Sequence, residues 1–212
     1  EQPQRSIFVG SVFLDRHEVT NEEYHAFVSA ANYRMPENNN PASTLWSKQA
    51  PMPGTQRHPV VNVSWTDAVA YCHWNGKRLP TEAEWEKAAR GTDGRRYPWG
   101  NQWDIQLANS ASYWAGRTVE FDSGADWEAF WVKGEGAKIV KEKGLNGEVL
   151  TMPVGSFPAA VSPYGLVDMA GNVAEWVTKK EGKRDLPLVK GGSFATPAIP
   201  MFGRMDKLEM DD

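Results

Sequence analysis

Three helix starts constrain this chain more than any other feature. A hydroxyl residue is followed three positions on by an acid at Thr20 and Glu23, at Ser64 and Asp67, and at Thr81 and Glu84. In that arrangement the hydroxyl can accept from a free first-turn amide while the acid side chain answers the cap's own N–H. Behind Thr20, the residues Tyr24, Phe27, Val28 and Ala31 recur at helical spacing. Behind Ser64, Ala68, Tyr71, Cys72 and Asn75 share one face until Gly76, and behind Thr81, Trp85, Ala88 and Ala89 do so until Gly91. The pattern predicts three short amphipathic helices, each with one buried face.

Between and after them the chain resists long regular elements. It carries 10 Trp, 19 Gly and 14 Pro in 212 residues, so rigid aromatics are set among residues that make turns. Residues 7–15 read as a strand broken by Gly10, and the proline-rich stretch 34–59 as an irregular surface loop. Residues 112–150 lack clear periodicity and read as an insertion, with short helices expected near 126–133 and 135–143. Short strands or turns are expected at 154–158, 164–168, 174–178 and 188–190. A hydrophobic fraction of 41% is ample for one core, so the expectation is a single α+β domain over 1–212, incomplete at both ends.

Charge and hydropathy exclude several classes. The net charge of −4 is near ordinary and the basic residues are scattered, which argues against a surface that tracks nucleic-acid phosphates. No apolar run approaches the roughly 18 residues of a membrane span. The opening Glu1-Gln2-Pro3-Gln4-Arg5 does not read as a signal peptide, and a processed or trimmed chain is expected. With Cys72 as the single cysteine, no intrachain disulfide is possible, which fits the cytosol and a periplasm equally. The four histidines, His17, His25, His58 and His73, have no spacing that favours joint metal coordination.

Several blocks carry a resemblance. In order they are Glu18-Val19-Thr20-Asn21, Pro59-Val60-Val61-Asn62-Val63-Ser64-Trp65, Gly76-Lys77-Arg78-Leu79-Pro80-Thr81-Glu82-Ala83-Glu84-Trp85-Glu86 and Tyr97-Pro98-Trp99-Gly100. There follow Pro153-Val154-Gly155-Ser156-Phe157-Pro158, Tyr164-Gly165-Leu166-Val167-Asp168-Met169-Ala170-Gly171-Asn172-Val173-Ala174-Glu175-Trp176 and Lys190-Gly191-Gly192-Ser193-Phe194. Together they closely resemble the formylglycine-generating enzyme, or sulfatase-modifying factor, family. The resemblance implies an irregular C-type-lectin-like α+β fold with little regular secondary structure, in agreement with the Trp, Gly and Pro excess.

The resemblance also implies calcium. A first ion would be held by the side chain of Asp168, the carbonyls of Gly171 and Val173, and the carboxylate of Glu175. That is the hard-oxygen set calcium prefers, although the same two acids could simply cap turns and pair with basic side chains. A second would use Asn109, the Ser110 carbonyl, Asn146 and the Glu148 carbonyl. Against these stands the reading of Asn109 and Asn146 as ordinary turn residues.

Two departures from the family pattern matter. The cysteines with which its oxidases hold copper fall on Thr196 and Met201, and a hydroxyl beside a lone thioether is a poor site for a soft copper(I) ion. Copper is therefore not expected, no catalytic residue is assigned, and Cys72 is expected to be an inert buried thiol. Ala174 stands where the family commonly has Trp, which either opens space beside the calcium loop or leaves room for Trp114, Trp127 or Trp131 of the insertion.

The leading expectation is a non-catalytic, calcium-stabilised scaffold or accessory subunit that binds another protein in a periplasmic or otherwise extracytoplasmic assembly. Trp114, Trp127, Phe130 and Trp131 are candidates for a partner-binding patch, with local packing as the alternative. A diverged oxidoreductase borrowing a metal site from a partner domain, or a lectin-like ligand-binding module, remain open beside it.

Overall fold

A computed structural model describes residues 7–36, 45–47, 50–145 and 149–197. The three sequence-marked helices form as the caps dictate: α1 is Asn21–Ala31, α2 is Trp65–Trp74 and α3 is Glu82–Arg90. Each begins with the full reciprocal box. Thr20, Ser64 and Thr81 accept from the N3 amides, while Glu23, Asp67 and Glu84 accept from the N-cap amides. Helix α1 ends on Asn32 in the left-handed region, and α3 ends at Gly91.

The stretch 34–59 is less irregular than expected, since Trp46–Ser47 (β1) and Ala50–Pro51 (β2) make a minimal antiparallel pair. Downstream come three short helices, Ala111–Ala115 (α4), Gly124–Trp131 (α5) and Glu135–Lys143 (α6), two of which match the expected positions in the insertion. The chain then makes one real hairpin, Glu175–Glu181 (β3) against Arg184–Lys190 (β4), with Glu175 opposite Lys190 and Val177 opposite Leu188.

One expected strand does not form, and two segments expected as strands or turns are turns. Residues 7–15 have strand-forming composition, but no strand runs beside them among the described residues, and Phe8 and Phe13 stand fully exposed. Residues 154–158 and 164–168 are turns, broken by Gly155 and Gly165 at positive φ. Single backbone bonds anchor them instead, from Val154 N to Arg57 O and from Val167 N to Arg16 O, both 2.9 Å. A pleated propensity becomes a strand only where a partner ladder exists.

Buried side chains gather in separate clusters. Tyr24, Phe27, Val28, Leu45, Trp46, Tyr71 and Val149 join α1 and α2. Trp85, Ala88, Ala89, Leu166, Met169 and Val177 join α3 to β3. Ala111, Trp131, Ile139 and Leu150 hold the insertion to the domain. Lys190 Nζ reinforces the second cluster by bonding Glu82 and Glu86 of α3, each at 3.0 Å. The result is an α+β domain with little regular structure, the fold class the sequence predicts. Cys72 is half-buried on α2, less enclosed than expected, and burial pushes its thiol up to about 11.

Candidate functional site

The glycine-rich turn 168–175 lies where the chain's distant parts meet. Asp168, Gly171 and Asn172 all adopt positive φ, and for Gly171 there is no alternative residue: a Cβ there would collide with the Asn109 carbonyl. Gly171 N donates to Gly191 O at 2.9 Å and Asn172 N to Asn109 O at 2.8 Å, so the turn is clamped between two other loops.

Asn172, 2% exposed, satisfies every one of its side-chain positions. Its Oδ1 accepts from Asn109 Nδ2 at 2.9 Å and from Met152 N at 2.8 Å. Its Nδ2 donates to Glu18 Oε2 at 2.7 Å and to Met152 O at 3.2 Å. The other Glu18 oxygen accepts from Val173 N at 3.0 Å. Neither Glu18 nor Asn172 was singled out from sequence. The only signal was that both stand within the sequence blocks that carry the family resemblance.

Three acids therefore share this buried region. Burial raises the Glu18 carboxyl well above its usual range, and Asp168 and Glu175 raise it further. Burial likewise raises Asp168, against the hydrogen bond it accepts from Gly155 N at 2.5 Å. Glu175 is pushed up to about 7, chiefly by burial and secondarily by Asp168, while the indole of Trp85 donates to its Oε2 at 3.0 Å and opposes the rise. No Lys or Arg side chain bonds any of the three among the described residues.

Asp168, Gly171, Val173 and Glu175 are thus brought onto one turn. Asp168 is buried with His17 as a basic neighbour and Glu175 is half-buried, and two such carboxyls to which no Lys or Arg bonds among the described residues are the donors a calcium ion would favour. Among the described residues no three His, Cys, Asp and Glu side chains are grouped to hold a metal, so any such site depends on carbonyl oxygens as well.

Only half of the second expected set lies among the described residues. Asn146 and Glu148 lie outside the described residues. Asn109 is spent on structure, with Nδ2 donating to Leu150 O at 2.7 Å as well as to Asn172, and Oδ1 accepting from Trp114 Nε1 at 2.6 Å. Ser110 caps α4, and its carbonyl accepts from Trp114 N at 3.2 Å.

Of the aromatic quartet, Trp131 is buried and Trp114 and Phe130 pack in the same insertion cluster; Trp127, at 41% exposure, is the one open to solvent. None of the insertion's tryptophans fills the space at Ala174, which lines a cavity of about 360 Å³ together with Leu14, Leu79, Trp85 and Leu166. Thr196 sits on the loop after the double glycine. Its Oγ1 accepts from Ser193 N at 2.8 Å and its carbonyl accepts from Ala111 N at 3.0 Å. Met201 lies outside the described residues. No helix among the described residues is long and apolar enough to cross a membrane.

Fold and site together define a class: an irregular α+β domain organised around a buried turn of acids and amides, with no extended sheet and no helical bundle among the described residues. The family profile described as "Sulfatase-modifying factor enzyme 1-like domain" matches residues 1–207, and the chain belongs to that family. It is 36% identical over 210 aligned positions to a formylglycine-generating enzyme of Thermomonospora curvata, covering 83% of this chain and 62% of the relative. It is 33% identical over 234 positions to a mouse protein named inactive C-alpha-formylglycine-generating enzyme 2, covering 93% of this chain and 68% of that one. A 185-residue match at 36% identity to the serine/threonine-protein kinase pkn1 of Chlamydia caviae covers 83% of this chain but only 24% of the relative.

Proposed function

We propose that this domain is a non-catalytic member of its family, a calcium-stabilised, lectin-like scaffold that serves another protein as an accessory subunit outside the cytoplasm. The observation that carries this reading is Thr196. At the position of the oxidases' first cysteine it offers a hydroxyl already engaged with Ser193 N, and a hydroxyl cannot supply the thiolate that copper(I) requires. The mouse relative is itself named inactive, and the Chlamydia match occupies a quarter of a much longer chain, which supports reading the domain as a module of a larger assembly.

Calcium would be held by Asp168, Glu175 and the carbonyls of Gly171 and Val173. When bound it would supply positive charge to acids to which no Lys or Arg bonds among the described residues. The protein's own residues do the rest: Asn172 and Gly155 N fix the turn, and Trp85 orients Glu175. Trp127 offers an aromatic anchor for a partner on the insertion.

Two measurements test this reading. Purified protein incubated with copper, oxygen and a cysteine-containing sulfatase peptide should leave the peptide mass unchanged; conversion to the formylglycine product would overturn the non-catalytic assignment. Calorimetric titration of chelator-treated protein with calcium should show binding that Asp168→Asn weakens, and absence of binding would remove calcium from the proposal.

A further inference from the structure

We propose that residues 7–14 are an interface between two copies of this chain, an antiparallel strand pair closed by a two-fold axis at Gly10. The interface uses neither Trp127 nor the calcium proposed above.

The segment has the make-up of a strand and no strand beside it. Ile7, Phe8, Val9, Val12 and Phe13 are β-branched or aromatic, and no turn, bend or positive φ interrupts residues 7–15. Among the described residues, no N–H or C=O of residues 7–14 bonds another backbone group. Leu14 packs against the cluster that joins α3 to β3, and Lys87 Nζ of α3 donates to Val9 O at 2.9 Å. Successive carbonyls of an extended chain point to opposite edges. The edge that carries Val9 therefore faces α3, and the edge that carries Phe8, Gly10 and Val12 is left open.

Symmetry selects what covers it. A two-fold axis perpendicular to a strand pair keeps each side chain on its own face, so odd positions meet odd ones and even positions meet even ones. With the axis at Gly10, Ile7 meets Phe13 of the second copy and Phe8 meets Val12, each pair occurring twice. Aromatic and β-branched residues placed opposite each other in this way are among the pairs that stabilise a ladder. The hydrogen-bonding positions are then Phe8, Gly10 and Val12, which are those of the open edge. An axis at Val9 would instead set Phe8 against Gly10, and an axis at Ser11 would set Ile7 against Asp15.

An edge that must stay unpaired is guarded by charge, proline or a cover. β4 is guarded in this way by Arg184, Asp185 and Pro187. Residues 7–14 contain no charged residue and no proline, and Ile7, Phe8, Val12 and Phe13 are all exposed. A phenylalanine presents about 150–250 Å². Two from each copy, with the isoleucines, valines and strand backbones, bring the paired surface to roughly the 1,000 Å² at which specific interfaces begin, so micromolar association is expected.

Sedimentation of the whole chain over about 1–200 µM should show a monomer–dimer equilibrium that reaches a dimer plateau. Phe8→Lys and Phe13→Lys should each weaken it at least about tenfold, because each removes its pair twice; both rings are exposed, so melting of dilute protein should not change. Trp127→Ala should leave the equilibrium as it is. Register is read by mild oxidation in a Cys72→Ala background. In Gly10→Cys the thiol meets its own copy at the axis, with open space for a Cβ, and should link the two chains. In Phe8→Cys it lies about 13 Å along the strand from its copy and should not. A monomer at every concentration, growth past the dimer, a dimer indifferent to both lysine variants or lost with Trp127→Ala, or linkage as fast through Phe8→Cys as through Gly10→Cys would overturn the proposal.

Discussion

Asn172 Nδ2 donates to Glu18 Oε2 at 2.7 Å across 154 positions of sequence, and this bond joins the entry to α1 with the turn ahead of β3. Asn172 also serves Asn109 and Met152, so truncation would orphan several buried groups at once. Each orphaned polar group costs about 1–3 kcal/mol, and more where it is charged. Asn172→Ala is expected to lower stability by about 4 kcal/mol or more, read by urea denaturation. Asn172→Asp keeps the left-handed backbone tolerance but replaces a donor with a fourth acid. It should be destabilising at neutral pH and partly relieved near pH 5; equal loss at both pH values would argue against the charge crowding described here.

The buried acids also set the pH response. Glu175 has a folded value of about 7 against an ordinary 4.5, and Glu18 and Asp168 are raised in the same direction. A raised carboxyl contributes stability that is complete below its unfolded value and disappears as pH climbs through its folded one. Chelator-treated protein should therefore lose stability between about pH 5 and pH 8, on the order of 3 kcal/mol from Glu175 alone. Glu84, held down to about 2 by Arg78, and Asp67, held low by Arg34 and Ser64 against the opposing effect of burial, act the other way. Their contribution is present above the ordinary carboxylate range and lost as pH falls through their folded values. Thermal melts across this range should show a maximum near pH 5 without calcium, and the alkaline decline should flatten when calcium is added.

How much of this was legible from the chain follows from the range of the interactions. Thr20, Ser64 and Thr81 mark their helices through contacts three residues away, and all three form. The β3–β4 hairpin was half visible, because 174–178 and 188–190 have strand character while Lys179 to Leu186 does not advertise its pairing. The strand expected at 7–15 was wrong because propensity says nothing about a neighbour. Within the site, Asp168 and Glu175 stand out as acids in a glycine turn. Glu18 and Asn109 reach Asn172 across 154 and 63 positions, so nothing local in the sequence announces these contacts, although the resemblance points to Asn109 as a calcium candidate.

Gly171 tests how closely the turn must approach its neighbour. A methyl group there meets the Asn109 backbone, and the residue also holds positive φ, which costs a non-glycine residue roughly 1 kcal/mol before any collision. Gly171→Ala should lose about 2–4 kcal/mol in chemical denaturation and weaken calcium binding with it. Gly155→Ala provides the control: its φ is also positive but a Cβ there meets nothing within 4 Å, so the loss should stay near 1 kcal/mol.

The two insertion tryptophans separate packing from recognition. Trp131 is 7% exposed, meets Phe130 edge to face at 5.0 Å between ring centres, and donates from Nε1 to Ala195 O at 3.0 Å. Truncating it removes a large buried ring and strands a carbonyl, so Trp131→Ala should cost about 3–5 kcal/mol and loosen the insertion from the loop that carries Thr196. Trp127 is 41% exposed and belongs to none of the buried clusters, so Trp127→Ala should stay within about 1 kcal/mol of the unaltered protein. If the insertion presents an aromatic anchor to another protein, Trp127→Ala should abolish co-purification of that partner while the melting curve is preserved. Retained co-purification would move the interface away from α5, because the other three aromatics of the quartet are committed to holding the insertion together.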